Sequence, residues 1–310
     1  MNRFTRFFLS PSAGGPLAFF RIGIAMIGLI QGCWLLGNVV MLYGVDGLVP
    51  WSLSKGIVSS MMPQLSWLQP LGNGDVWVYV LMAVYLVCLL FLLIGMFTPV
   101  VAFVAWGLHL MFINTGFMAA YGVETFLHIS LFYCILMPVG ESYSWRNGKQ
   151  SVSEWNTLAL RVLQIHLCIV YFSSGVEKAM GAQWWNGEAV WQTLMQGQFA
   201  RFDMRWLADY PFIAKLLCWS TLLIEMGYPF FIWWRRTRVY AYVAVVLLHV
   251  GISIFMGLQL FAGIMIVLNT AAFGWQYIGQ VYMGLMRPVR VRRVLRRAEV
   301  LATGAFWSLE

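Results

Sequence analysis

Long apolar runs alternate with short polar segments along most of this chain. A bilayer-spanning helix needs about 20 mostly apolar residues. The runs that approach this length are Leu17–Leu42, Val76–Gly95, Val100–Ala119, Thr125–Val139, Thr157–Val176, Phe212–Trp234, Val239–Gly257 and Gln259–Trp275. The fourth and eighth are the shortest and predict tilted or partly re-entrant segments. Pro99, Pro138 and Pro211 stand at the edges of runs, where a missing backbone N–H costs least. The pattern predicts an all-α integral membrane protein, a polytopic bundle of about eight transmembrane helices.

Composition supports this and excludes a water-soluble domain. Of 310 residues, 61% are hydrophobic and 10% charged, against about 25% charged in average soluble domains. The mean hydropathy is +0.74. No internal boundary marks off a soluble domain, so the expectation is a membrane domain over residues 1–275 and a basic cytoplasmic tail over 276–310. The basic N-terminus precedes an apolar run too long for a signal-peptide core, and that run predicts a retained first helix. Cys33, Cys88, Cys134, Cys168 and Cys218 all lie in apolar runs without paired spacing. They predict small core residues rather than a disulfide framework or a zinc site.

Basic residues orient the bundle. With a cytoplasmic N-terminus and eight spans, fifteen Lys and Arg residues fall on the inner side, counting Arg21 and Arg161 as snorkelling inward. Five fall outside: Lys55, Lys178, Arg201, Arg205 and Lys215. The positive-inside rule therefore predicts both termini in the cytoplasm. The two long outer loops, 43–75 and 177–211, contain seven tryptophans counting Trp77 at the edge of the next run, including Trp51, Trp184 and Trp185. Indole rings favour the headgroup layer, which predicts loops lying on the membrane surface. The basic tail Arg287–Arg297 predicts attraction to anionic membrane lipid; no motif points to nucleic acid.

Ionisable residues within apolar spans are costly and are functional candidates by default. They are His109, Glu124, His128, His166, Lys178, Glu225 and His249. Glu124 and His128 are one turn apart on one helix face. With Lys178 and His249 they share a predicted depth near the outer side and are the candidate catalytic set, lining one outward-opening cavity. His109, Asn114 and Glu225 join as candidate substrate-binding residues. Glu124, His128 and His109 are a chemically possible three-ligand metal set, but Glu-x-x-x-His recurs by chance and no metal site is assigned. Lys178 is expected just past the outer end of the fifth span. An ammonium there loses hydration, which favours the free amine and makes it a base near neutral pH; the plain alternative is an interfacial lysine that snorkels outward.

The stretch Tyr171-Phe-Ser-Ser-Gly-Val-Glu-Lys178-Ala-Met-Gly-Ala-Gln-Trp184-Trp-Asn-Gly187 resembles the signature of the vitamin K-dependent gamma-carboxylase-like family, whose membrane core is the HTTM domain. Gly175, Lys178, Trp184 and Gly187 stand in register with its Gly-x-x-Lys and Trp-x-x-Gly elements. Phe20-Arg21-Ile-Gly-Ile resembles the family's first helix. Asn114 through Glu124, Leu136-Met137-Pro138 and Ser142-Tyr-Ser-Trp145 resemble a further block in the same order. The likeness covers about residues 16–275.

The resemblance implies a membrane bundle with an outward-facing site, where Lys178 is the base that deprotonates a reduced, vitamin K-like quinone. It adds Trp184 to the candidate substrate-binding residues. It also implies a multi-pass protein of a bacterial-type plasma (inner) membrane, of the compact kind without the carboxylases' large lumenal domain. The catalytic histidine of the carboxylases, near the start of the fourth span, has no counterpart; Val123 or Glu124 takes its place. Two functions follow as expectations. One is a membrane-embedded enzyme with lyase- or oxygenase-like chemistry, acting on a quinone-like substrate or modifying an exported peptide. The other is a non-catalytic helper for maturation or export of a peptide or membrane partner.

Overall fold

The computed structural model describes residues 2–278. The tail Arg287–Arg297, and with it most of the proposed 276–310 segment, lies outside the described residues. Contacts divide the chain into two compact units that meet within one long helix, residues 2–159 and 160–278 among those described. Each is considered by itself.

The first unit opens with α1 (Arg3–Leu9) and the two-residue strand β1 (Ser12–Ala13). Then come α2 (Gly15–Leu35), which passes through a 3-10 turn into α3 (Val39–Tyr43), and α4 (Trp51–Ile57). Helices α5 (Gly74–Ile94), α6 (Thr98–Thr115) and α7 (Gly122–Leu136) complete it, followed by β2 (Val152–Ser153). α2 packs on α5, α5 on α6 and α6 on α7. β1 and β2 pair antiparallel, Ser12 opposite Ser153 and Ala13 opposite Val152.

Helix α8 (Glu154–Ala179) carries the chain into the second unit. There α9 (Ala182–Asn186), α10 (Glu188–Met195), α11 (Pro211–Phe231), α12 (Arg238–Met256) and α13 (Gln259–Asn269) follow. One π-helical turn, Thr270–Gly274, continues α13, and the helical segment runs to Ile278.

The chain is an all-α membrane protein. Among the described residues, six helical segments are long and apolar enough to cross a bilayer, including Gly74–Ile94 and Arg238–Met256. The remaining two apolar runs form α7, a shorter apolar helix of 15 residues, and α11, whose 21 residues include Lys215 and Glu225. α7 is short because Pro138 follows it and removes an N–H that would continue the helix. The outward faces make the case independently of length. Only 11% of the α12 span is buried, and the exposed remainder includes Tyr240, Val243, Leu247 and Ile254. A water-soluble protein rarely presents a continuous apolar face of that kind.

Three expectations are corrected. Arg21 and Arg161 do not snorkel to the inner surface. Arg21 is fully buried and donates to the carbonyls of Val139 (2.9 Å), Ser142 (3.3 Å) and Tyr143 (2.7 Å). Helix ends leave carbonyls unpaired, and this guanidinium collects those that follow α7. Arg238 does the same beyond α11, donating to Ile232 and Trp233 at 3.0 Å each. Arg161 is buried, bonds Gln164 Oε1 at 2.8 Å and lies 5.6 Å from the Trp233 ring centre. Trp51 is not an interfacial residue either: it is 1% exposed and donates from Nε1 to the Tyr43 carbonyl, 2.9 Å. Of the five cysteines, all free, Cys33 is exposed rather than in the core.

Replacing Arg21 with methionine keeps the apolar stem but orphans buried carbonyls. Arg21→Met is expected to destabilise the protein by about 3 kcal/mol, read as a lower Tm in detergent, with Arg21→Lys intermediate. An unchanged Tm for Arg21→Met would contradict this role.

Candidate functional site

The sequence candidates fall in both units, and each group is described by itself. In the first, Glu124 is the third residue of α7. Its Oε2 accepts from the Tyr121 backbone N–H at 2.8 Å, and its Oε1 accepts from Gln31 Nε2 of α2 at 2.6 Å. A carboxylate at a helix N-terminus satisfies otherwise unpaired N–H groups and sits well against the helix dipole. Burial, and then the Glu124 carboxylate, push the Tyr121 phenol up from its ordinary value.

Four rings line up beside this carboxylate. Tyr85 stacks on His109 (5.9 Å between centres, 16° between planes), His109 on His128 (5.8 Å, 20°) and His128 on Trp106 (5.1 Å, 25°). Tyr85 OH and the Nδ1 atoms of His109 and His128 have no hydrogen-bond partner among the described residues. A small cleft opens among Gln31, Tyr43, Met82, Tyr85, His109 and Glu124. Asn114 does not line it; its amide donates to the Pro63 carbonyl at 2.8 Å and ties a loop to α6. Among the described residues no three His, Cys, Asp or Glu side chains converge as a metal site would require.

The second cluster is built on the Gly-x-x-Lys stretch. Lys178 lies in the last turn of α8, not beyond it, because nothing breaks the helix before Gly181. A cation is favoured there by the helix dipole. Its Nζ donates to Glu225 Oε2 of α11 at 2.8 Å and to Ser174 Oγ at 2.5 Å. The side chains are 26% and 10% exposed, so this pair is neither a surface salt bridge nor a fully buried one. The Trp184 ring lies 5.6 Å from Nζ, within cation–π range.

The motif's glycines have steric reasons. A Cβ on Gly175 would come 2.8 Å from the Met226 backbone nitrogen and 3.1 Å from Glu225 Cβ. Only a hydrogen there lets α8 and α11 approach closely enough for Lys178 to reach Glu225. Gly187 sits at φ +96°, and a Cβ would lie 2.7 Å from Lys215 Cα, so glycine is needed both for the turn and for its closure on α11. Two indoles fasten the same corner: Trp185 Nε1 donates to the Ala179 carbonyl at 2.7 Å and Trp219 Nε1 to the Trp185 carbonyl at 3.1 Å.

The HTTM domain profile matches residues 15–275. The chain belongs to the HTTM family. No curated protein and no solved structure matches it.

This HTTM protein also pairs His249, which neither composition nor spacing connects to anything, with Tyr171 of the same motif: Nε2 lies 2.7 Å from Tyr171 OH. Tyr171 in turn receives a bond from Asn269 Nδ2 at 2.7 Å. Gln31, Tyr171, Ser174 and Asn269 are absent from the sequence candidates. Their signal was available: each is a neutral polar side chain within or at the edge of an apolar run.

Gly175→Ala is expected to force α8 and α11 apart. We expect a destabilisation of about 1–3 kcal/mol, the range for overpacking, measured as a fall in detergent Tm. Gly107→Ala, where a Cβ meets open space, should leave Tm unchanged and serves as the control.

Proposed function

We propose that this protein is a membrane-embedded enzyme in which Lys178 acts as a base at the outer face of the bilayer. Its substrate is a quinone-like or other lipid-soluble molecule, or an exported peptide. The observation that carries this reading is the Lys178–Glu225 contact at 2.8 Å. An ammonium–carboxylate pair and an amine–carboxylic acid pair differ only by the position of one proton along that hydrogen bond. Glu225 Oε2 is the acceptor along that bond, so a carboxylate stands where it can take the proton that Lys178 gives up. The amine can then accept a proton from a weakly acidic substrate O–H or C–H. A reduced, vitamin K-like quinone has such a group.

The topology belongs to the same proposal: eight spans, both termini in the cytoplasm, in a bacterial-type inner membrane. Its support is the basic asymmetry. Without the buried Arg21, Arg161 and Arg238, twelve inner basic residues still face five outer ones. Glutamate carboxylation as such is not proposed, because the position of the carboxylases' catalytic histidine is taken by Val123 and by Glu124, whose carboxylate is engaged with Gln31 and Tyr121. That same substitution favours the second reading, a helper for maturation or export of a peptide or membrane partner.

Lys178 separates the two readings. A guanidinium keeps the charge but does not give up its proton in proteins. If Lys178 is a base, Lys178→Arg should lose activity by about 10²–10⁴-fold, the usual share of a general base, in complementation of a null strain. Wild-type complementation by Lys178→Arg at equal membrane abundance would refute the base and favour the helper. Reporter fusions at Lys149 and at the C-terminus should both read cytoplasmic; an external reading at either overturns the topology.

A further inference from the structure

The hydrogen-bond roles around His249 can be worked out from one end. Asn269 Nδ2 donates to the Met265 carbonyl at 2.8 Å and to Tyr171 OH at 2.7 Å, and Asn269 Oδ1 receives Tyr228 O–H at 2.7 Å. The Met265 carbonyl fixes which end of the amide is nitrogen, since the reverse would set two oxygens against each other. An amide nitrogen can only donate, so Tyr171 accepts from Asn269 and has its single proton left to place. Its other partner is His249 Nε2, at 2.7 Å.

Two arrangements remain. If Tyr171 donates to Nε2, the imidazole proton is on Nδ1, and one donor, Nδ1–H, has no partner among the described residues. If His249 donates from Nε2 instead, the Tyr171 proton is stranded and Nδ1 is a second unpartnered atom. An imidazolium strands both protons. His249 and Tyr171 are each 3% exposed, so bulk water does not offset stranded groups. The first arrangement leaves the fewest.

We infer that the relay Tyr228–Asn269–Tyr171 holds His249 as the neutral Nδ1–H tautomer, so that its buried Nδ1–H is a hydrogen-bond donor aimed at an oxygen of a bound molecule. Tyr228, Asn269 and Tyr171 are positioning residues; they act through the ring of His249. Tyr171, which holds His249, and Lys178 lie seven residues apart on α8, about two turns along one face, so the donor and the Lys178–Glu225 pair address one side of that helix. The division of labour is acceptor at the pair and donor at His249. It holds whether or not Lys178 is a base, since it follows from hydrogen-bond directions alone.

The test is ¹⁵N NMR on histidine-labelled full-length protein in lipid nanodiscs at pH 7, with the His249 signals assigned by their loss in His249→Gln. Wild type should show a protonated Nδ1 and an unprotonated Nε2. Asn269→Asp supplies an acceptor where a donor stood, so Tyr171 should turn its proton toward it and the His249 proton should move to Nε2. A purely structural Asn269 would not move that signature. Tyr171→Phe should likewise release the preference for Nδ1–H. A protonated Nε2 or an imidazolium in wild type overturns the inference, and this arm decides even if both variants fail to fold. A folded Asn269→Asp protein that keeps Nδ1–H overturns the relay.

Discussion

Apolar helices faced by lipid deprive the polar groups they carry of water, and each such group must then find its partner inside the protein. Most of the specific contacts in this HTTM protein answer that requirement. Arg21 and Arg238 collect carbonyls left over beyond the ends of α7 and α11. Gln31 and the Tyr121 amide divide the two oxygens of Glu124. Gln164 of α8 bonds Arg161 and, at 2.6 Å, the carbonyl of Ala272 in the π turn, the kind of irregular turn that frees a carbonyl for a side chain. Lys178 takes Glu225.

The same requirement singles out what is left over. Tyr85 OH and Nδ1 of His109, His128 and His249 stand without partners among the described residues, and Tyr85 and His109 line the cleft of the first unit. Buried polar atoms of this kind are uncommon in native structures. They are the natural contacts for a bound molecule.

The helical class and the extent of the apolar runs were legible in the sequence, since runs such as Val76–Gly95 and Val239–Gly257 agree within a few residues with α5 and α12. Hydropathy cannot tell a lipid-facing residue from a core one, so Trp51, Arg21 and Arg161 were misplaced: an indole or guanidinium satisfied by a distant carbonyl or amide looks the same in one dimension as one at the headgroups. The Gly-x-x-Lys stretch pointed to Lys178, and Glu225 was visible as a lone carboxylate in an apolar run. Their pairing was not, because it depends on the close approach of α8 and α11 at Gly175. Tyr171–His249 escaped for a related reason; 78 residues separate them, and no spacing rule reaches that far.

The proposed base chemistry depends on Lys178 and Glu225 being coupled rather than merely near. A double-mutant cycle in thermal unfolding with Lys178→Met, Glu225→Gln and the double variant measures that coupling. Each single change leaves one partner alone in a poorly hydrated corner, and the double removes both charges together. Given exposures between those of surface and buried pairs, the account predicts that both singles lower Tm and that the double falls short of their sum by about 1–3 kcal/mol. Additive effects, agreeing to within about 0.5 kcal/mol, would contradict it.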